Sequence, residues 1–278
     1  MFLRRFLKSK GFQAPYFQAV SMFKAERLGA KDDPFLPRDF IECFSCKQHA
    51  FMSMLIFMHR MAVRRSDEAL IKDVTDLLQR GLNLGWFIGQ ALRPVGSDNG
   101  MLVGGVRWLG LLPIVKHDPQ GFRSYLRKLN RSDQAIPDVG HETETWGCAS
   151  IQIALILLER FGFGSNRLIP LMRALTTKNF INSVEPVEES YRVAEIWIRY
   201  MLESRTVPSI PLQPAFYLGA DHISAITERV LRTSKSATLN WLSAIPSKIT
   251  AETAPQLFCS EVEDTESDEP WLDEETVI

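Results

Sequence analysis

Leu70, Ile71, Val74, Leu77 and Leu78 recur at three- and four-residue steps between Asp67 and Arg80, the spacing that gathers side chains on one face of an α-helix. Ser66 is placed to cap this helix, Asp67 and Glu68 complement its positive end, and Gly81 reads as its stop. The same period governs most of the chain. Phe40 to Arg65 predicts a longer helix, with Asp39 as a cap after Pro37 and Phe51, Met54, Leu55, Met58 and Met61 at helical spacing. Asp118-Pro119 opens another, with Phe122, Tyr125, Leu126 and Leu129 facing inward. Glu142 to Phe161 is apolar nearly all round, which predicts a helix central to the core. Glu188 to Glu203 and Asp221 to Arg232 supply two more amphipathic helices. Gly81 to Leu112 breaks the rhythm. Its glycines and the turn signal Asp98-Asn99-Gly100 predict an irregular stretch that could close a small hairpin near residues 95–106. These glycines lack both the GxGxxG order and a following Lys-Ser/Thr, so they do not read as a phosphate cradle.

The expected fold class is therefore all-α, an irregular multi-helix globular domain over residues 31–246. A basic segment precedes it at 1–30. After Pro246 no periodic apolar pattern survives, so 247–278 is expected to be an acidic, disordered tail. With 45% apolar residues in 278, the chain has ample material for a core. The uncharged run Thr145 to Leu158 is 14 residues, short of the roughly 18 to 20 that cross a bilayer. Four cysteines are too few for a disulfide framework, and a cytoplasmic location is the expectation. Phe2, Leu3, Phe6 and Leu7 oppose Arg4, Arg5 and Lys8 on a short helix, so residues 2–10 suit peripheral contact with a membrane surface.

Charge is segregated along the chain. Nine of the 33 acidic residues follow Ser260 and none of the 32 Lys and Arg follows Lys248, so residues 1–260 carry +8 against a strongly negative end. The densest cationic stretch holds Arg107, Lys116, Arg123, Arg127, Lys128 and Arg131 with Asp118 as its one acid. Arg123 and Arg127 are four apart and share a helical face. Guanidinium groups so arranged suit bidentate contact with carboxylates or phosphates. The partner this implies is a protein with an acidic segment. Nothing in the sequence supplies a reading helix or aromatic platform for nucleic acid.

Two groups of residues carry alternative chemistry. Cys43, Cys46 and His49 form CxxCxxH, but on one continuous helix Cys43 and His49 would lie about 9 Å apart along the axis. A zinc ion would need a later helix start and a fourth ligand such as His59 or Cys148. His117-Asp118, together with Asp138, His141, Glu142 and Glu144, is where a metal-dependent helical hydrolase would place its acid-base groups, with His117, Asp118, His141 and Glu144 as the working set. Asp118 already has a structural use as a helix cap. Buried thiols and helix-end acids account for the same residues without chemistry, and the expectation is a non-enzymatic protein that needs no cofactor or metal.

From His141 onward the order is an apolar helix through Leu158-Glu159, a loop, Leu168 to Val184 ending in Asn182-Ser183-Val184, then Val193-Ala194, Tyr200 and Glu203. This layout, over residues 40–232, resembles the soluble C-terminal domain of the DotM (IcmP) family and its conjugation relatives, components of the coupling complex of type IVB secretion systems. It departs from that family at Glu185-Pro186, Glu195 and Arg199. The resemblance implies a non-enzymatic receptor whose basic surface recognises acidic, Glu-rich signal peptides. Trp271 and Leu272, set among the tail's acids, form a motif suited to folding back on the Arg-bearing face.

Overall fold

Gly81, Gly85 and Gly89 repeat every four residues, and so do Gly96, Gly100 and Gly104. In the computed structural model, which describes residues 10–24, 26–27, 37–63, 68–131, 138–176, 185–203 and 212–235, these two rows meet face to face. A Cβ added to Gly85 would land on the carbonyl oxygen of Gly100, and one added to Gly100 would land on that of Gly85. Gly81 and Gly104 make the same reciprocal approach, and Gly89 lies against the Gly96 carbonyl. Small residues at four-residue spacing let two helix backbones touch.

Eleven α-helices are present among the described residues: α1 Lys10–Phe23, α2 Pro37–Cys43, α3 Cys46–Val63, α4 Glu68–Ala91, α5 Ser97–His117, α6 Pro119–Arg131, α7 Val139–Trp146, α8 Ser150–Arg160, α9 Ser165–Thr176, α10 Pro186–Leu202 and α11 Ala220–Lys235. The all-α expectation holds. The glycine-rich stretch corrects two others. Gly81 does not stop α4, which runs on to Ala91, and residues 95–106 form no hairpin but the first half of α5. The reversal between α4 and α5 takes only residues 92–96, closed by Gly96 at φ 74°, a conformation that L side chains rarely adopt.

The central helix is α5, not the predicted 142–161. Every residue from Gly100 to Leu112 is buried, and α3, α4, α6, α8 and α10 all pack on it. Residues 142–161 instead divide into α7 and α8 at Gly147, which ends α7 in the left-handed region at φ 73°. Only one side of α8 is buried, and Ile156 is 58% exposed. The N-terminus of α8 abuts α5 where a Cβ on Gly110 would strike the Ser150 carbonyl oxygen. Likewise the predicted helix over 40–65 is two. Ser45 Oγ accepts the Gln48 N–H at 3.2 Å and Gln48 Oε1 accepts the Ser45 N–H at 2.8 Å, a reciprocal cap that restarts the chain as α3.

One apolar cluster runs from Tyr16 on α1 to Val230 on α11. Part of the basic N-terminal segment thus belongs to the body: Tyr16, Ala19, Val20 and Phe23 are buried, and Phe23 packs on Trp86 at 4.6 Å between ring centroids. Residues 1–9 and the 247–278 tail, including Trp271 and Leu272, lie outside the described residues, as do Ser66 and its expected cap. No helix among the described residues is long and apolar enough to cross a membrane.

Gly85→Ala is expected to destabilise the protein by about 3 kcal/mol, because backbone rather than a movable side chain occupies the space the methyl group needs. Gly140→Ala, whose Cβ would have only Asp138 Oδ1 nearby at 3.4 Å, should change stability by less than about 1 kcal/mol. Urea denaturation of the two variants beside the parent protein measures both.

Candidate acidic-partner interface

α6 is divided into two faces. Phe122, Tyr125, Leu126 and Leu129 are buried, with Phe122 at 0% exposure, while Arg123, Arg127 and Lys128 are exposed. Between Pro119 and Arg131 the sequence contains no acid. Lys116 and His117 are exposed on the last turn of α5, immediately ahead of Asp118. Asp118 fixes the junction: its Oδ1 accepts the Gly121 N–H at 2.9 Å and its Oδ2 accepts the Trp146 indole N–H at 3.0 Å. The Gly121 hydrogen bond, then that of Trp146, holds this carboxyl below the usual carboxylate range. The predicted cap and stripe are both present. Arg131 ends α6, and its side chain is outside the described residues.

Arg107 does not join this surface. It sits in the buried stretch 100–112 of α5, 6% exposed, with Nη2 3.0 Å from Glu195 Oε1 of α10 and donating to the Leu175 carbonyl oxygen near the end of α9 at 2.5 Å. A charge buried in a helix interior is tolerated only when paired and hydrogen-bonded. Glu195, itself buried, is shared with the half-exposed Arg199 at 3.2 Å. Arg107 therefore ties three helices together, and the expected convergence of Arg107 with Arg123 and Arg127 is corrected.

The acid-base group disperses into structural work. Glu142, at 0% exposure, accepts the Tyr125 O–H and the Ser150 N–H, each at 2.6 Å, so its carboxylate caps α8 from the preceding helix. Burial, and then the neighbouring Glu142 charge, raise the Tyr125 phenol above its ordinary pKa. Asp138 caps α7 through Gly140 and His141 N–H, and the His141 ring stacks on Tyr125 at 5.6 Å. His117 and Glu144 point to solvent. The role of Glu142 as a cap eight residues ahead of Ser150 has no local motif that would reveal it.

The cysteine motif straddles the α2–α3 break. His49 is buried, with Nε2 3.0 Å from the Ile41 carbonyl oxygen and Nδ1 3.4 Å from Tyr16 Oη, and it stacks on the Tyr16 ring. Cys43 is buried, and burial pushes its thiol up; Cys46 is exposed. Among the described residues no group of three or more His, Cys, Asp and Glu gathers as a metal site. A shallow crevice lies beside the start of α3, where Lys47, Gln48, Asp98 and Arg167 rim Phe51 and Phe163. No protein-family model, curated protein or solved structure matches the chain.

Glu195→Ala, which leaves Arg107 charged and buried, is expected to cost about 3 kcal/mol; replacing both partners by Leu should recover most of that loss, as a denaturation cycle would show. Burial, with Arg60 adding to it, lowers His59 to about 4. The unfolded chain, with a histidine pKa near 6.5, then binds more protons than the folded one between about pH 4 and 6.5, so stability falls as pH drops through that window. Urea midpoints taken from pH 6.5 to 5 should decline, and His59→Gln should flatten the decline.

Proposed function

We propose that this protein is a non-catalytic helical adaptor that docks a Glu- and Asp-rich protein segment along the exposed face of α6. The observation that carries the reading is the division of that helix: a fully buried apolar face, and opposite it Arg123, Arg127 and Lys128 exposed with no acid among them. Lys116 extends the positive surface onto the last turn of α5. An acidic segment lying there gains charge-assisted hydrogen bonds from the guanidinium forks and a point charge from each lysine. Phosphate on nucleic acid would meet the same cations, but the aromatic side chains of α6, Phe122 and Tyr125, are buried and give bases nothing to stack on there. The resemblance to the DotM family supports the same direction. Under it, the acidic segment is a Glu-rich signal peptide and the setting is the cytoplasmic side of a type IV secretion or conjugation coupling complex.

Fluorescence anisotropy with a labelled 15-residue Glu-rich peptide tests this. Binding should weaken between 50 and 150 mM salt as screening shortens the range of the contacts. Arg123→Glu combined with Arg127→Glu should weaken binding at least tenfold at the lower salt, with Lys116→Glu adding a smaller loss. Equal affinity of parent and double variant would exclude this face.

A further inference from the structure

The strongest charge complement to the α6 face lies in the same chain. Glu261, Glu263, Asp264, Glu266, Asp268 and Glu269 precede Trp271, and three more acids follow it, with no lysine or arginine among residues 249–278. The described residues end at 235, and the 36 positions from there to Trp271 can span up to about 120 Å. That reach covers any face of a body this size, whose radius of gyration is about 18 Å. We propose that the acidic segment 261–275 docks in cis on the α6 face, against Lys116, Arg123, Arg127 and Lys128, and competes there with the acidic partner. The proposal rests on the reading of α6 as a dock for acidic polypeptide and adds its regulation.

Four features favour this segment over an unspecific counter-charge. The α6 cations follow one another at helical spacing on a single exposed face, so a run of carboxylates meets several at once; single exposed pairs contribute little, and only a set of them holds a segment in place. Trp271 brings an aromatic face to guanidinium groups, which stack on indole more favourably than on other rings. The aliphatic stems of Arg123, Arg127 and Lys128 give Leu272 an apolar surface beside their charges. Tethering makes the encounter intramolecular, at an effective concentration near the millimolar range, so even weak individual contacts compete with a free peptide.

Two readouts on the full chain separate this contact from the adaptor reading beneath it. The first is zero-length carbodiimide cross-linking at 50 mM salt with peptide mapping. Amide bonds joining Lys116 or Lys128 to carboxylates of 261–275 within one molecule are expected, and they should vanish at 500 mM salt and in the Arg123→Glu/Arg127→Glu chain. Cross-links spread over unrelated lysines, or joining two copies, overturn the proposal. The second is affinity for the labelled Glu-rich peptide after Glu261, Glu263, Asp264, Glu266, Asp268 and Glu269 are changed to their amides. A gain of about three- to tenfold over the parent is expected. Equal binding by both chains, without the tail cross-links, ends the tail contact and leaves the adaptor reading standing. Tail cross-links in a protein that binds no peptide in either form uphold the contact and remove the adaptor reading.

Discussion

Backbone contact between α4 and α5, made through glycines at four-residue spacing, is the constraint from which the rest of the fold follows. Where Gly85 meets Gly100 and Gly81 meets Gly104, no side chain separates the two helices, so dispersion acts directly between the backbones of 81–89 and 96–104. Residues 100–112 of α5 are left with no solvent face. Ridges from α3, α8 and α10 close over its remaining sides, and Gly105 and Gly110 continue the close packing against Leu82 and Ser150. Each glycine in a helix interior costs about 1 kcal/mol relative to alanine, and the packing it allows must offset that.

A buried central helix also dictates the fate of its one guanidinium. Arg107 is buried, and its Nη2 is paired because α10 presents Glu195 and α9 ends with the Leu175 carbonyl within reach. That arrangement turns a cation that looks like part of a binding surface into a brace. What remains of the positive stretch is the face of α6 and the last turn of α5, held in orientation by Asp118 through its bonds to Gly121 and Trp146. The tyrosine beneath that face, Tyr125, is locked in turn by Glu142 and by the Asp138 N–H. The side of α6 beneath the proposed docking surface is thus fixed by hydrogen bonds with Asp118, Asp138 and Glu142.

The sequence discloses the local part of this structure well. The stripe Phe122, Tyr125, Leu126 and Leu129 follows from periodicity and is buried as expected, and the Asp118 cap follows from the Asp-Pro pair that opens the helix. It misleads where glycine is involved. Read by propensity, Gly81 and the Asp98-Asn99-Gly100 triplet break helices, yet both lie inside helices because their meaning is tertiary. The signal was present in the spacing 81, 85, 89 against 96, 100, 104, a pattern of contact rather than of breaks. Ser45 and Gln48 were likewise a readable capping pair within an apparently continuous helix, whereas the pairing of Arg107 with Glu195 joins residues too distant in sequence for any local rule to connect.

Native-state hydrogen exchange tests most directly whether the glycine-mediated helix pair is the framework on which the other helices depend. If it is, the slowest amides fall within 78–89 and 100–112 and exchange only with global unfolding, while amides of α2, α7 and α11 open at lower cost. If the slowest amides instead lie in α10 or α3, with the glycine-flanked amides of α4 and α5 exchanging through local opening, the helix pair is an accessory and the framework of the fold lies elsewhere.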